Sequence, residues 1–173
     1  SPGYGRSIDS NGIVQVINRL NADFAATGFQ FYKCGNINYI TSSAYNDLNF
    51  STEFTPLYNA SAVPNIINIY FVRDLMFGGS PAAGIAPTPG GRDYILMRGN
   101  TALGNITHEA GHYFGLLHTH GVSNTERSKE KVDGSNCSEE GDFFCDTPAD
   151  PNQLNVTLAN CIFTGTWGDV NNQ

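Results

Sequence analysis

All four histidines of this 173-residue chain lie in one stretch, HEAGHYFGLLHTH, residues 108–120. On a helix, His108 and His112 stand four residues apart, so both imidazoles project from one face, one turn above the other. Gly115 is the residue best able to leave helical geometry with a positive φ, and the turn it permits swings His118 toward the same point. The stretch therefore demands a helix ending near residue 114, a sharp turn, and an irregular segment beyond it. Three converging imidazoles suit Zn2+ at roughly 2.0–2.1 Å, with the fourth tetrahedral position left to water. At ordinary residue frequencies, His-Glu-x-x-His-x-x-Gly-x-x-His arises by chance in about one in ten thousand chains of this length. His120 lies outside the ligand spacing and reads as a surface or supporting residue.

Glu109 follows the first ligand directly, about 100° around the helix, which sets its carboxylate beside the ion rather than on it. A carboxylate there accepts a proton from water that the metal has acidified and passes it to a leaving amine. These are the parts of metal-assisted amide hydrolysis. A purely structural zinc site would need a fourth protein ligand, and none stands at a suitable spacing.

The rest of the chain has to build a scaffold for that helix. Residues 10–28 predict a first helix, with Ile13, Ile17, Leu20 and Phe24 recurring at spacings of four, three and four behind a cap at Asp9 or Ser10 and a stop at Gly28. Strand-like runs follow at residues 29–32 and 66–72, the second (IINIYFV) rich enough in β-branched and aromatic residues to predict a central, buried strand. Residues 35–62 are weakly periodic and receive no element. Gly and Pro crowd residues 73–92, which excludes a long helix or a central strand there but allows a short irregular edge strand at residues 83–87. DYILMR, residues 93–98, predicts another short strand, and Thr101 a helix cap. Residues 119–173 read as loop held by cysteines.

Length predicts one domain with room for a hydrophobic core. A formal charge of −7 from nine Lys and Arg against 16 Asp and Glu makes no basic patch, which excludes nucleic acid and anionic membrane surfaces as partners. No run approaches the 18 or so apolar residues of a membrane span. Cys137, Cys145 and Cys161 cluster near the end, while Cys34 stands apart. Their spacings fit neither a zinc ribbon nor a redox CxxC, so disulfides in an oxidising compartment are the better reading.

HEAGHYFGLLH matches the extended zinc signature of the metzincins. With the downstream GDFFCDTPAD and NCIFTGTWGD, the chain resembles, over roughly residues 65–168, the pappalysin family of metzincins and its ulilysin-like members. The resemblance implies an α/β (α+β) metzincin-type peptidase domain: residues 1–173 as one catalytic domain, with a twisted, mostly parallel sheet and helices in an upper subdomain, 1–115, and an irregular, disulfide-stapled lower subdomain, 116–173. It implies a secreted zinc endopeptidase acting on protein or peptide substrates, with His108, His112 and His118 as ligands and Glu109 as base and acid. Ala83, Gly84, Ile85 and Ala86 correspond to the edge strand that pairs with an extended substrate. Asp142, Asp146 and Thr147 correspond to Ca2+ donors, though a turn capped by Asp and Pro fits the same residues.

The family's Met-turn follows the third histidine, yet Met76 and Met97 both precede it. The resemblance thus places that turn on a further segment, acting as a partner of this one. It also implies a Cys137–Cys161 disulfide, with Cys145 bonded beyond residue 173 and Cys34 free; Cys34–Cys145 is the rival pairing. The missing methionine leaves open a second class, a non-catalytic binding module that keeps the metal, against which the intact Glu109 argues.

Overall fold

The computed structural model describes residues 8–87, 91–122, 128–150, 158–159 and 162–163. The chain divides after Gly115 into two compact units, Ser1–Gly115 and Leu116–Gln173. The first unit is mixed α/β, with three α-helices and short strands.

Helix α1, Ser10–Asp23, begins where Asp9 accepts a 2.7 Å hydrogen bond from the backbone N–H of Gly12, satisfying one of the orphan donors of the first turn. It buries Val16 and Leu20, with Ile13 and Ile17 half-buried beside them. A single turn of 3-10 helix, Ala25–Thr27, follows, and the chain leaves it at Gly28 with φ +77°.

Residues 29–32, expected as a strand, form none. Phe31 donates its backbone N–H to Asn21 Oδ1 at 2.6 Å, and Asn21 Nδ2 donates to the carbonyl of Phe31 at 2.9 Å. One side-chain amide on α1 thus replaces the neighbouring strand, while Phe31 packs on the core through Phe24.

The unassigned stretch contains β1, Asp47–Asn49, and α2, Phe50–Ser61. Asn49 caps α2 by accepting the N–H of Ser51 at 3.1 Å, and Glu53 reaches back to accept the N–H of Asn49 at 2.7 Å. Pro56 sits inside this helix, a placement that ordinarily costs about 3 kcal/mol. Burial of Phe54 and Leu57 opposes that cost.

The strands form small sheets rather than one mostly parallel sheet. β2 (Asn68–Val72), β6 (Tyr94–Arg98) and β5 (Gly84–Ile85) lie in the order β2-β6-β5, parallel between β2 and β6 and antiparallel between β6 and β5. β1, β3 (Asp74–Phe77) and β4 (Ser80–Pro81) make a second three-stranded sheet, again one parallel and one antiparallel pair. The chain passes from the first sheet to the second at Arg73, which separates β2 from β3.

The central strand is β6 and not, as expected, residues 66–72. Ile95 and Met97 enter one core cluster with Val16, Leu20, Ala102, Ile106 and Ala110, whereas Tyr94 and Leu96 enter another with Phe54, Leu57 and Leu75. Alternating side chains thus fill both faces of one strand. Among the described residues β2 has one strand beside it, and it is half-buried along its middle.

Helix α3, Ala102–Tyr113, buries Ala102, Ile106 and Ala110, a four-residue repeat facing the core. Thr101 does not cap it as expected: its hydroxyl lies 3.2 Å from the carbonyl of Ala83 and 3.1 Å from that of Arg98. No helix among the described residues is long and apolar enough to cross a membrane.

The second unit is built mainly of turns. Against expectation it holds a two-stranded ladder, β7 (Leu158–Ala159) antiparallel to β8 (Ile162–Phe163). Its disulfide joins Cys137 to Cys145, which corrects the expected Cys137–Cys161 pairing. A run of turns from residue 132 to 143 brings the two Cα atoms to 5.0 Å within eight residues of sequence, a separation that a disulfide spans. Cys161 lies outside the described residues, and Cys34 is free and exposed.

Candidate metal centre

α3 carries His108 and His112 one turn apart, and their Nε2 atoms lie 3.0 Å from each other with ring planes at 82°. The helix closes with Phe114 N–H bonded to the carbonyl of Ala110 at 3.0 Å and Gly115 N–H to that of His112 at 2.9 Å. Gly115 has φ +100°, the left-handed geometry that a side chain would resist. Among the described residues His108, His112 and His118 are gathered so that one ring nitrogen of each lies within 4.8 Å of the others. His120 is outside that group and stacks on His118, ring centroids 4.9 Å apart at 23°.

Desolvation, and after it the nearby His112, holds His108 below the usual imidazole range. A neutral imidazole is the form that donates to a metal.

Glu109 is the buried carboxylate of α3, 6% exposed. Burial pushes its pKa above the ordinary carboxylate range; His112 and a hydrogen bond from the backbone of Ala86 pull the other way. Its side chain lies against β5. A Cβ placed on Gly84 would stand 2.6 Å from Glu109 Cγ and 2.8 Å from both Cδ and Oε1.

The expected edge strand at residues 83–87 is present as β5, at the end of its sheet. Gly84 stands opposite Met97 and Ile85 opposite Leu96, while the carbonyl of Ala83 accepts the N–H of Arg98 at 2.9 Å. Antiparallel alternation then turns the backbone groups of Gly84 and Ala86 away from β6.

The proposed calcium donors are arranged as a capped turn. Asp142 accepts the Thr147 hydroxyl at 2.8 and 3.0 Å and the N–H of Phe144 at 2.9 Å, while Asp146 is exposed.

The sequence spacing anticipated the gathering of the three histidines but not what surrounds them. The hydroxyl of Thr107, next in sequence to His108, donates to Asp23 at the end of α1 over 2.5 Å, and Arg19 pairs with the same carboxylate. The contact between Gly84 and Glu109 was also missed; its only trace in the sequence is a glycine inside a short strand, a usual mark of close approach. No protein-family model, curated protein or solved structure matches this chain.

Proposed function

We propose that this chain is a zinc-dependent endopeptidase of the pappalysin type, hydrolysing peptide bonds of proteins at the histidine centre. The observation that carries the reading is the gathering of His108, His112 and His118, with the buried carboxylate of Glu109 next in sequence to the first of them.

The donor set fits the ion. Three imidazole nitrogens of borderline softness suit zinc better than calcium or magnesium. Nitrogens about 2.05 Å from a tetrahedral ion lie roughly 3.3 Å apart, close to the 3.0 Å between His108 and His112. These histidines would hold the ion, and zinc when bound supplies Lewis acidity that lets water ionise near neutral pH.

Glu109 takes the proton of the attacking water and delivers it to the amine nitrogen as the C–N bond breaks. A pKa raised above the ordinary carboxylate range favours a group that must both gain and release a proton. The outward backbone groups of Gly84 pair with an extended peptide, which sets the scissile bond across the end of α3. An oxidising, extracellular location accords with the Cys137–Cys145 disulfide.

Cleavage of a mixed peptide library tests this. The zinc-loaded wild type is expected to cut internal bonds, and both chelation and Glu109→Ala to stop it. Cutting that survives both treatments would refute the proposal. A wild type that binds zinc and cuts nothing would instead identify a metal-retaining binding module.

A further inference from the structure

Glu109 is placed by more than its own helix. Helical geometry fixes where its Cα and Cβ stand, yet three further torsions decide where the carboxylate goes. Two features of β5 act on those torsions. Gly84 lacks the Cβ that would stand 2.6 Å from Glu109 Cγ, and the backbone of Ala86, just past the end of the strand, acts on the carboxylate in the sense that favours its charge. Gly84 does not have a positive φ, so backbone conformation does not account for a glycine there; the close approach of Glu109 does. β5 is itself anchored by Arg98 N–H and the Thr101 hydroxyl, both at the carbonyl of Ala83.

We propose that Gly84 and the backbone N–H of Ala86 form a cradle on β5 that positions the Glu109 carboxylate for proton transfer. This rests on the peptidase reading for its purpose, though not for its geometry. Gly84 provides the space, and the Ala86 N–H fixes one carboxylate oxygen, leaving the other for water. The strand that seats the peptide therefore also holds the base. A Cβ at residue 84 leaves the strand intact, because the obstructing atoms belong to a flexible side chain. Glu109 has to swing away, which gives up the Ala86 bond and the alignment with it. Loss of alignment of this kind reduces rates by roughly 10- to 100-fold.

The test compares wild type, Gly84→Ala, Glu109→Ala and the double variant of the full chain. Gly84→Ala is expected to lower kcat by roughly 10- to 100-fold, with KM no higher than wild type and zinc content unchanged. In metal-free protein Gly84→Ala should lower the thermal midpoint while Glu109 is present and fail to lower it in the Glu109→Ala background. Hydrogen exchange at the Ala86 amide should accelerate in Gly84→Ala and in Glu109→Ala alike. An equal loss of midpoint with and without Glu109 would show that Gly84 serves the strand alone, and wild-type kcat in Gly84→Ala would equally overturn the cradle. If the wild type cleaves no peptide, the peptidase reading fails. The midpoint comparison and the Ala86 exchange then still decide the cradle by themselves.

Discussion

Two buried carboxylates differ in what the chain asks of them. Glu109 lies under β5 beside the histidines, whereas Glu130, 2% exposed, lies in the second unit with Asp142 and Asp150 among the charges that act on it. Burial first, and those two carboxylates second, push Glu130 above the ordinary carboxylate range. The unfolded chain releases this proton near its ordinary pKa and the folded chain only at higher pH. The stability linked to Glu130 is therefore fully present below the unfolded value and declines as pH rises through the folded one. In chelator-treated protein, Glu130→Gln should raise the thermal midpoint at neutral pH, and the gain should vanish below about pH 4. An equal gain at both pH values would mean that charge is not the cause. At the metal centre, Glu109→Ala should abolish turnover and leave zinc in place, while His112→Ala should remove the metal.

At the scale of elements, the legible ones were those whose burial repeats at one period. α1 and α3 show their faces through residues 13–24 and 102–110, and DYILMR carries a two-residue alternation that fills both cores. Two readings missed because side-chain bonds and burial overrode local preference. Asn21 satisfies both backbone groups of Phe31 and keeps residues 29–32 out of any sheet. The Asn49–Glu53 cap and the buried Phe54 and Leu57 hold α2 together through Pro56. If the first account is right, Asn21→Ala leaves two partly buried backbone groups unpaired and costs about 1–3 kcal/mol, measured by denaturant unfolding. Asn21→Asp, which keeps the acceptor and loses the donor, should fall between that variant and wild type. A neutral Asn21→Ala would show that Phe31 is held by ring packing alone.

For the whole molecule, the histidine spacing anticipated the gathering of His108, His112 and His118, because helical geometry and one glycine turn suffice to bring them together. The cradle around Glu109 was not legible, since it depends on the register of β5 against β6 and on the packing of α3 beside them. The cysteine pairing escaped for a similar reason: three clustered thiols admit several bonds, and the turns between residues 132 and 143 select Cys137–Cys145. Proteolytic mapping without reduction should recover that linkage, and its reduction should destabilise the second unit by about 2–3 kcal/mol on loop-closure grounds. Recovery of a Cys137–Cys161 peptide would contradict the fold given to that unit.

The central claim is that three histidines hold a zinc ion at which Glu109 carries protons. The most direct measurement is metal content and peptide hydrolysis determined together, on wild type, His112→Ala and Glu109→Ala purified side by side. The account predicts about one zinc per chain in the wild type and in Glu109→Ala, loss of tightly held zinc in His112→Ala, and hydrolysis in the wild type alone. Wild-type protein without zinc, or a Glu109→Ala variant that retains both zinc and turnover, would contradict it.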